Sequence, residues 1–189
     1  IFITLWFIAR RGWRAEDISN LKRPFGLGLI TCQFFNATLF SLGVSIAPVA
    51  LVLLGVATVP IFAAFFAFTI LREPTETKTW IAIGSVLCGL SVAVFTPENG
   101  HVQINIWSLL GALAGLGVAI SLSMSFVLIR HQKTAPFLLA IGIGGLLSGL
   151  FGLLMTGLGN MANGNIGYII FTGIVILPTS FFLLSFAAR

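Results

Sequence analysis

The sequence predicts an all-α integral membrane protein, a polytopic helix bundle of about seven spans with the first one partial, and three observations carry that prediction. Seven blocks hold no Asp, Glu, Lys, Arg or His: 1–9, 25–46, 48–71, 79–95, 106–129, 136–157 and 166–188. Six of them approach the ~20 residues an α-helix needs to cross ~30 Å of hydrocarbon, and a charge at a helix centre would cost roughly 2.5–3.5 kcal/mol. The composition is 58% hydrophobic and 8% charged, against about 25% charged in soluble domains. Its mean hydropathy is +1.09, too much apolar surface for ten basic and five acidic side chains to screen. Third, every Lys and Arg falls in one of four clusters, each separated from the next by two spans.

The blocks follow in order. The first, 1–9, is too short to cross a membrane and is not preceded by an initiator Met, which predicts an internal piece of a longer membrane protein. Residues 10–23 mix five basic residues with Glu16 and Asp17 and read as a solvated loop rather than an interfacial helix. Pro24, Pro48 and Pro136 stand at the first positions of spans, where a missing N–H is harmless. Pro74 and Pro97 lie in loops, whereas Pro60 and Pro178 lie inside spans and should bend them. Trp80, Trp107 and Tyr168 sit at span ends, where amphipathic rings favour the headgroup layer. Gly111 with Gly115 and Gly145 with Gly149 form small-xxx-small faces, and Ser85 with Gly89 a looser one, all expected to be packing seams.

Lys and Arg are retained on the cytoplasmic side. The loops 10–23, 72–78 and 130–133 are therefore expected to be cytoplasmic and 96–105 exterior, in the cell (inner) membrane. The same placement explains the pI near 10 without nucleic acid, because the basic residues form no stripe.

Chemistry-bearing residues are few. Cys32 and Cys88 fall inside spans, too few for a zinc site or disulfide framework, and read as small buried residues. His101 and His131 stand alone in opposite loops, so no metal site is expected. Ser121, Ser123 and Ser125 have no His, Lys or Asp in any span to activate them, which argues against an intramembrane hydrolase. No phosphate-binding glycine loop or potassium filter occurs, and no cofactor is expected.

What remains is uncharged polarity at membrane depth. Gln33 and Asn36, three apart, share a helical face with Phe40, while Thr31, Thr38 and Ser41 lie broadly opposite. An amide in hydrocarbon must pair or face water, so these two are either interhelical glue or cavity lining. Thr58 beside Pro60, Ser121 with Ser125, and Thr179 with Ser180 after Pro178 are further cavity candidates, although hydroxyls can satisfy themselves on their own helix.

These residues carry a resemblance. The run 39–94 resembles the first EamA repeat of the drug/metabolite transporter superfamily. It shares Val59-Pro60-Ile61-Phe62-Ala63-Ala64, Leu71-Arg72-Glu73-Pro74, Trp80 and Cys88-Gly89-Leu90, and departs from it at Ala82. The run 109–130 is similar to the opening helix of the second repeat. The resemblance implies ten helices in two five-helix repeats, and an odd number per repeat requires them to be inverted in the membrane. Residues 1–97 would be part of the first repeat (helix 2 in part, helices 3 to 5) and 106–189 part of the second (helices 6 to 8).

The resulting expectation is a non-enzymatic transporter of small metabolites or drugs, working by alternating access in the lipid bilayer. Its central cavity would be touched by Gln33, Asn36, Thr58, Pro60, Ser121, Ser125 and Thr179. A homodimer is open. The alternative is a polytopic assembly or scaffold protein that does not transport, in which Gln33 and Asn36 would pair with neighbouring helices; a membrane enzyme stands third.

Overall fold

An apolar segment in hydrocarbon can satisfy its peptide groups within itself only as a helix, and every regular element among the described residues is helical. The computed structural model describes residues 24–72, 77–95, 106–131 and 137–156, with short stretches at 167, 171–176, 179–180 and 183. The expected partial first span, the 10–23 linker, the 96–105 loop with His101, and Pro74, Pro97, Pro136, Tyr168 and Pro178 lie outside the described residues.

Helix α1 is Pro24–Ile46, α2 Val49–Val56, α3 Val59–Phe66, α4 Thr77–Phe95, α5 Ile106–His131 and α6 Phe137–Thr156. A π-helical turn, Ala67–Leu71, continues α3, and a second, Thr172–Ile176, lies near the end of the chain. Among the described residues, three runs are long and apolar enough to cross a membrane: Pro24–Ile46, Val49–Leu71 and Ile106–His131. Pro24 opens α1 and Pro48 is the residue before α2, as their missing N–H groups favour.

The Val49–Leu71 run goes further than the bend expected from Pro60. Its α-helix stops at Val56, makes a turn through Ala57 and Thr58, and restarts at Val59 with Pro60 in the new first turn. Pro60 has no N–H for the Val56 carbonyl. The Thr58 N–H bonds Gly55 at 3.1 Å, a tighter turn than the α-helical one, and Ile61 bonds Thr58 at 3.0 Å. The run ends at Arg72, whose φ of 56° puts a non-glycine residue in the left-handed region as the cap.

The chain divides into two compact units, one of Ile1–Phe34 with Leu128–Arg189 and the other of Phe35–Val127. In the second unit, glycine sets the helix spacing. A Cβ on Gly55 would lie 2.7 Å from backbone atoms of Ala112, Gly115 and Leu116. One on Gly115 would strike the Val52 carbonyl, and one on Gly111 the Ala47 side chain. The α2 and α5 backbones therefore touch, and the Gly111/Gly115 seam forms as expected. Gly43 gives the same close fit to Ala114 and Val52.

In the first unit, the start of α1 packs on α6. Gly144 receives Gln33 and the Ile30 carbonyl, with 2.8 and 2.9 Å to an added Cβ. Phe34 meets Phe151 edge to face at 5.8 Å, and Phe25 stacks on His131 at 5.1 Å. Leu29, Leu128, Leu139, Ala140 and Ile141 are buried here.

Two other expected seams are absent among the described residues. Nothing lies within 4 Å of a Cβ added to Gly145, Gly149, Gly84 or Gly89. The α6 seam runs through Gly144 instead, one residue or 100° round the helix, because that position faces Gln33. Cys88 is exposed rather than buried, and so is Phe40, which shares the face of Gln33 and Asn36. Large apolar side chains stand open on every helix, among them Phe65, Phe68, Ile81, Leu113 and Leu146, as expected of helices that face lipid.

Candidate functional site

Gln33 and Asn36 occupy successive turns of α1 and are 6% and 8% exposed. Neither side-chain amide has a hydrogen-bond partner among the described residues. The opposite face of the same helix behaves differently. Thr31 is exposed and donates to the Leu27 carbonyl at 2.9 Å, the self-satisfied arrangement hydroxyls can adopt on a helix. An amide is too long and too rich in donors for that, so burial without a partner costs it about 1–3 kcal/mol unless water or a solute pairs with it.

Thr58 is half-buried at the break between α2 and α3, and its Oγ1 donates to the Gly55 carbonyl at 2.6 Å. Pro60 is exposed on the first turn of α3. On α5, Ser121 is half-buried and its carbonyl accepts the Ser125 hydroxyl at 2.9 Å, with Ser125 buried. Thr179 is exposed and donates to Val175 at 2.6 Å. The hydroxyl protons of Thr58, Ser125 and Thr179 are thus spent on their own helices, and their oxygens remain as acceptors.

Sequence reasoning weighed Ser123 only as a nucleophile, and its role is different. It is fully buried, and its Oγ donates to the Val59 carbonyl at 2.8 Å, tying α5 to the first residue of α3. The available signal was spacing. Gly115, Ala119 and Ser123 recur at intervals of four on the side of α5 that meets Gly55, whereas Ser121 and Ser125 lie round the helix. A hydroxyl at the end of a small-residue stripe is well placed to reach across to a neighbouring backbone.

The break gathers acceptors. The bonds Ala57 to Leu53, Thr58 to Gly55, and Ile61 and Phe62 to Thr58 account for the N–H groups around it. Among the described residues, the carbonyls of Leu54, Val56 and Ala57 receive no backbone donor. The Thr58 oxygen, whose proton is already donated to Gly55, belongs to the same turn, and the Ser123 hydroxyl reaches the Val59 carbonyl at the start of α3. A single unbonded N–H, that of Val59, faces this excess. No group of His, Cys, Asp and Glu able to hold a metal occurs among the described residues.

A separate cleft of about 370 Å³ lies in the first unit, lined by Ile30, Thr31, Phe34, Leu147, Leu150, Phe151 and Leu154. Its walls are almost wholly apolar, so it offers a solute nothing to orient on.

No curated protein and no solved structure matches the chain. Residues 1–95 of the 189 match the EamA-like transporter family, a stretch that holds Gln33, Asn36 and the broken Val49–Leu71 run. With apolar helices long enough to cross a membrane and that match over half its length, the chain belongs to the EamA-like transporter family.

Proposed function

We propose that the protein carries small, hydrogen-bonding solutes across the membrane by alternating access, with Gln33 and Asn36 lining the solute path. The observation that carries this reading is the pair of amides, buried on successive turns of α1 with no partner among the described residues. A scaffold would pair such amides with neighbouring helices, because interhelical glue works by forming the bond. A transporter keeps them open for water in one state and solute in the other. The ten-helix, inverted-repeat arrangement, with 1–97 and 106–189 as parts of its halves, would supply the rest of the cavity. Thr58, Ser121, Ser125 and Thr179 would contribute oxygens as acceptors, Pro60 would maintain the break, and the basic loops would be cytoplasmic.

Asn36→Leu tests the reading. In the full-length protein it should raise the apparent KM for transport by roughly two- to tenfold, the equivalent of one hydrogen bond of about 0.5–1.5 kcal/mol. Thermal stability should hold or rise, since an unpaired buried amide is replaced by an apolar side chain. A variant that melts earlier yet transports with unchanged KM and selectivity would assign Asn36 to helix packing and remove the support for a solute path here.

A further inference from the structure

We infer that the break between α2 and α3 is a binding site for a monovalent cationic group, either an inorganic ion such as Na⁺ or the ammonium group of a transported solute. This rests on the transport reading only for the role of the site; binding itself can be measured without transport.

The argument is an accounting of donors and acceptors. In an unbroken helix each carbonyl receives the N–H four residues on. Here Val56 faces Pro60, which has none. Thr58 turns its N–H from Leu54 to Gly55, and Ile61 turns its own from Ala57 to Thr58. Three carbonyls are left over within four residues, with the Thr58 oxygen in the same turn as a further acceptor. The Val59 N–H alone cannot balance four oxygens.

Position sharpens the conclusion. The break follows the eight residues of α2, so it lies about 12 Å along a run that crosses ~30 Å of hydrocarbon, near mid-depth. Open carbonyls at that depth are tolerated where they line a cavity or meet a guest. The guest must bring positive charge or donors, because every surplus group is an acceptor.

The same inventory excludes a divalent ion. Calcium and magnesium sites draw on carboxylates, and the residues 35–71, 79–95 and 106–127 contain no Asp or Glu. Neutral oxygens from an unwound turn suit a singly charged guest.

The experiment is thermal unfolding of the purified full-length protein at constant ionic strength, titrating NaCl, KCl or methylammonium chloride against tetramethylammonium chloride, which has no N–H and is too bulky for the turn. A saturable rise in Tm with NaCl or KCl alone identifies an ion site, and one with methylammonium alone a solute-ammonium site. Pro60→Ala, which supplies an N–H to Val56, should weaken the midpoint of that rise roughly tenfold, and Thr58→Val about threefold. Both variants should fold, the first because it removes a helix breaker. A protein whose Tm rises in none of the three salts has a break filled by water only, and the inference fails. It fails equally if the rise is unchanged in both variants. Uptake assays on Asn36→Leu bear on the transport reading alone, so the two failures are distinguishable.

Discussion

Gly55 and Gly115 meet backbone to backbone: a Cβ on Gly55 would sit 2.7 Å from the Gly115 carbonyl carbon, and one on Gly115 would sit 3.1 Å from the Gly55 Cα. Neither helix can withdraw without also breaking the 2.8 Å bond from Ser123 to Val59 two turns further along α5. The contact therefore fixes where the broken run lies on α5.

Gly115→Ala should lower stability by about 1–3 kcal/mol, the usual penalty for forcing extra volume into a packed interface. Gly89→Ala, where nothing lies within 4 Å, should be neutral or stabilise its helix by up to about 1 kcal/mol. Thermal unfolding of the two variants in detergent is the measurement, and equal effects would contradict the close approach.

Gly144→Ala should act on Gln33. The added Cβ would lie 2.8 Å from the Gln33 Cβ and 2.9 Å from the Ile30 carbonyl, so the side chain and its turn must shift. The expected result is a transport KM raised about three- to tenfold in addition to some loss of stability. Gly145→Ala, on the open side of the same helix, should change neither.

Arg72→Gly should raise stability by about 1 kcal/mol, because the cap sits at φ 56° and ψ 28°, where a side chain is strained and glycine is not. Arg72→Val should lower it by a similar amount or more. The comparison is read from the midpoints of unfolding, and a lower midpoint for Arg72→Gly would mean that the guanidinium outweighs the backbone.

Cysteines at Thr75 and Asn99, in a background without Cys32 and Cys88, should react with an impermeant thiol reagent from opposite sides of the membrane. Asn99 should label from outside in intact cells and Thr75 only after permeabilisation. Labelling of both from outside would invert or abolish the expected orientation.

The helical membrane class could be read from sequence because uncharged length is a direct consequence of hydrocarbon thickness. That Gln33 and Asn36 share one face of α1 was legible for a similar reason, since residues three apart on a helix point the same way; that this part of the face is buried was not, and Phe40 further along it is exposed. Pairwise contacts were not. Gly144 and Gly145 are equivalent in composition, and only the crossing of α1 on α6 decides which of them meets Gln33. Ser123 was likewise indistinguishable from Ser121 and Ser125 until the side of α5 that meets α2 was known. A bend followed from Pro60, but the full break and the turn that opened three carbonyls depended on Thr58 and Ile61 choosing partners one residue closer, a choice that depends on the surrounding packing.

The broken run has a consequence for biogenesis. Its two α-helical halves, Val49–Val56 and Val59–Phe66, have eight residues each, so each reaches only about 12 Å. Neither can leave the insertion machinery as a stable segment by itself, and the whole 49–71 stretch must partition into lipid as one piece. Its unpaired turn then enters hydrocarbon before α5 has been synthesised to shelter it. Between the emergence of Leu71 and that of Ser123 the turn lacks the bond that Ser123 makes to Val59, and the translocon's own wet interior is where its open carbonyls can be hydrated in the meantime.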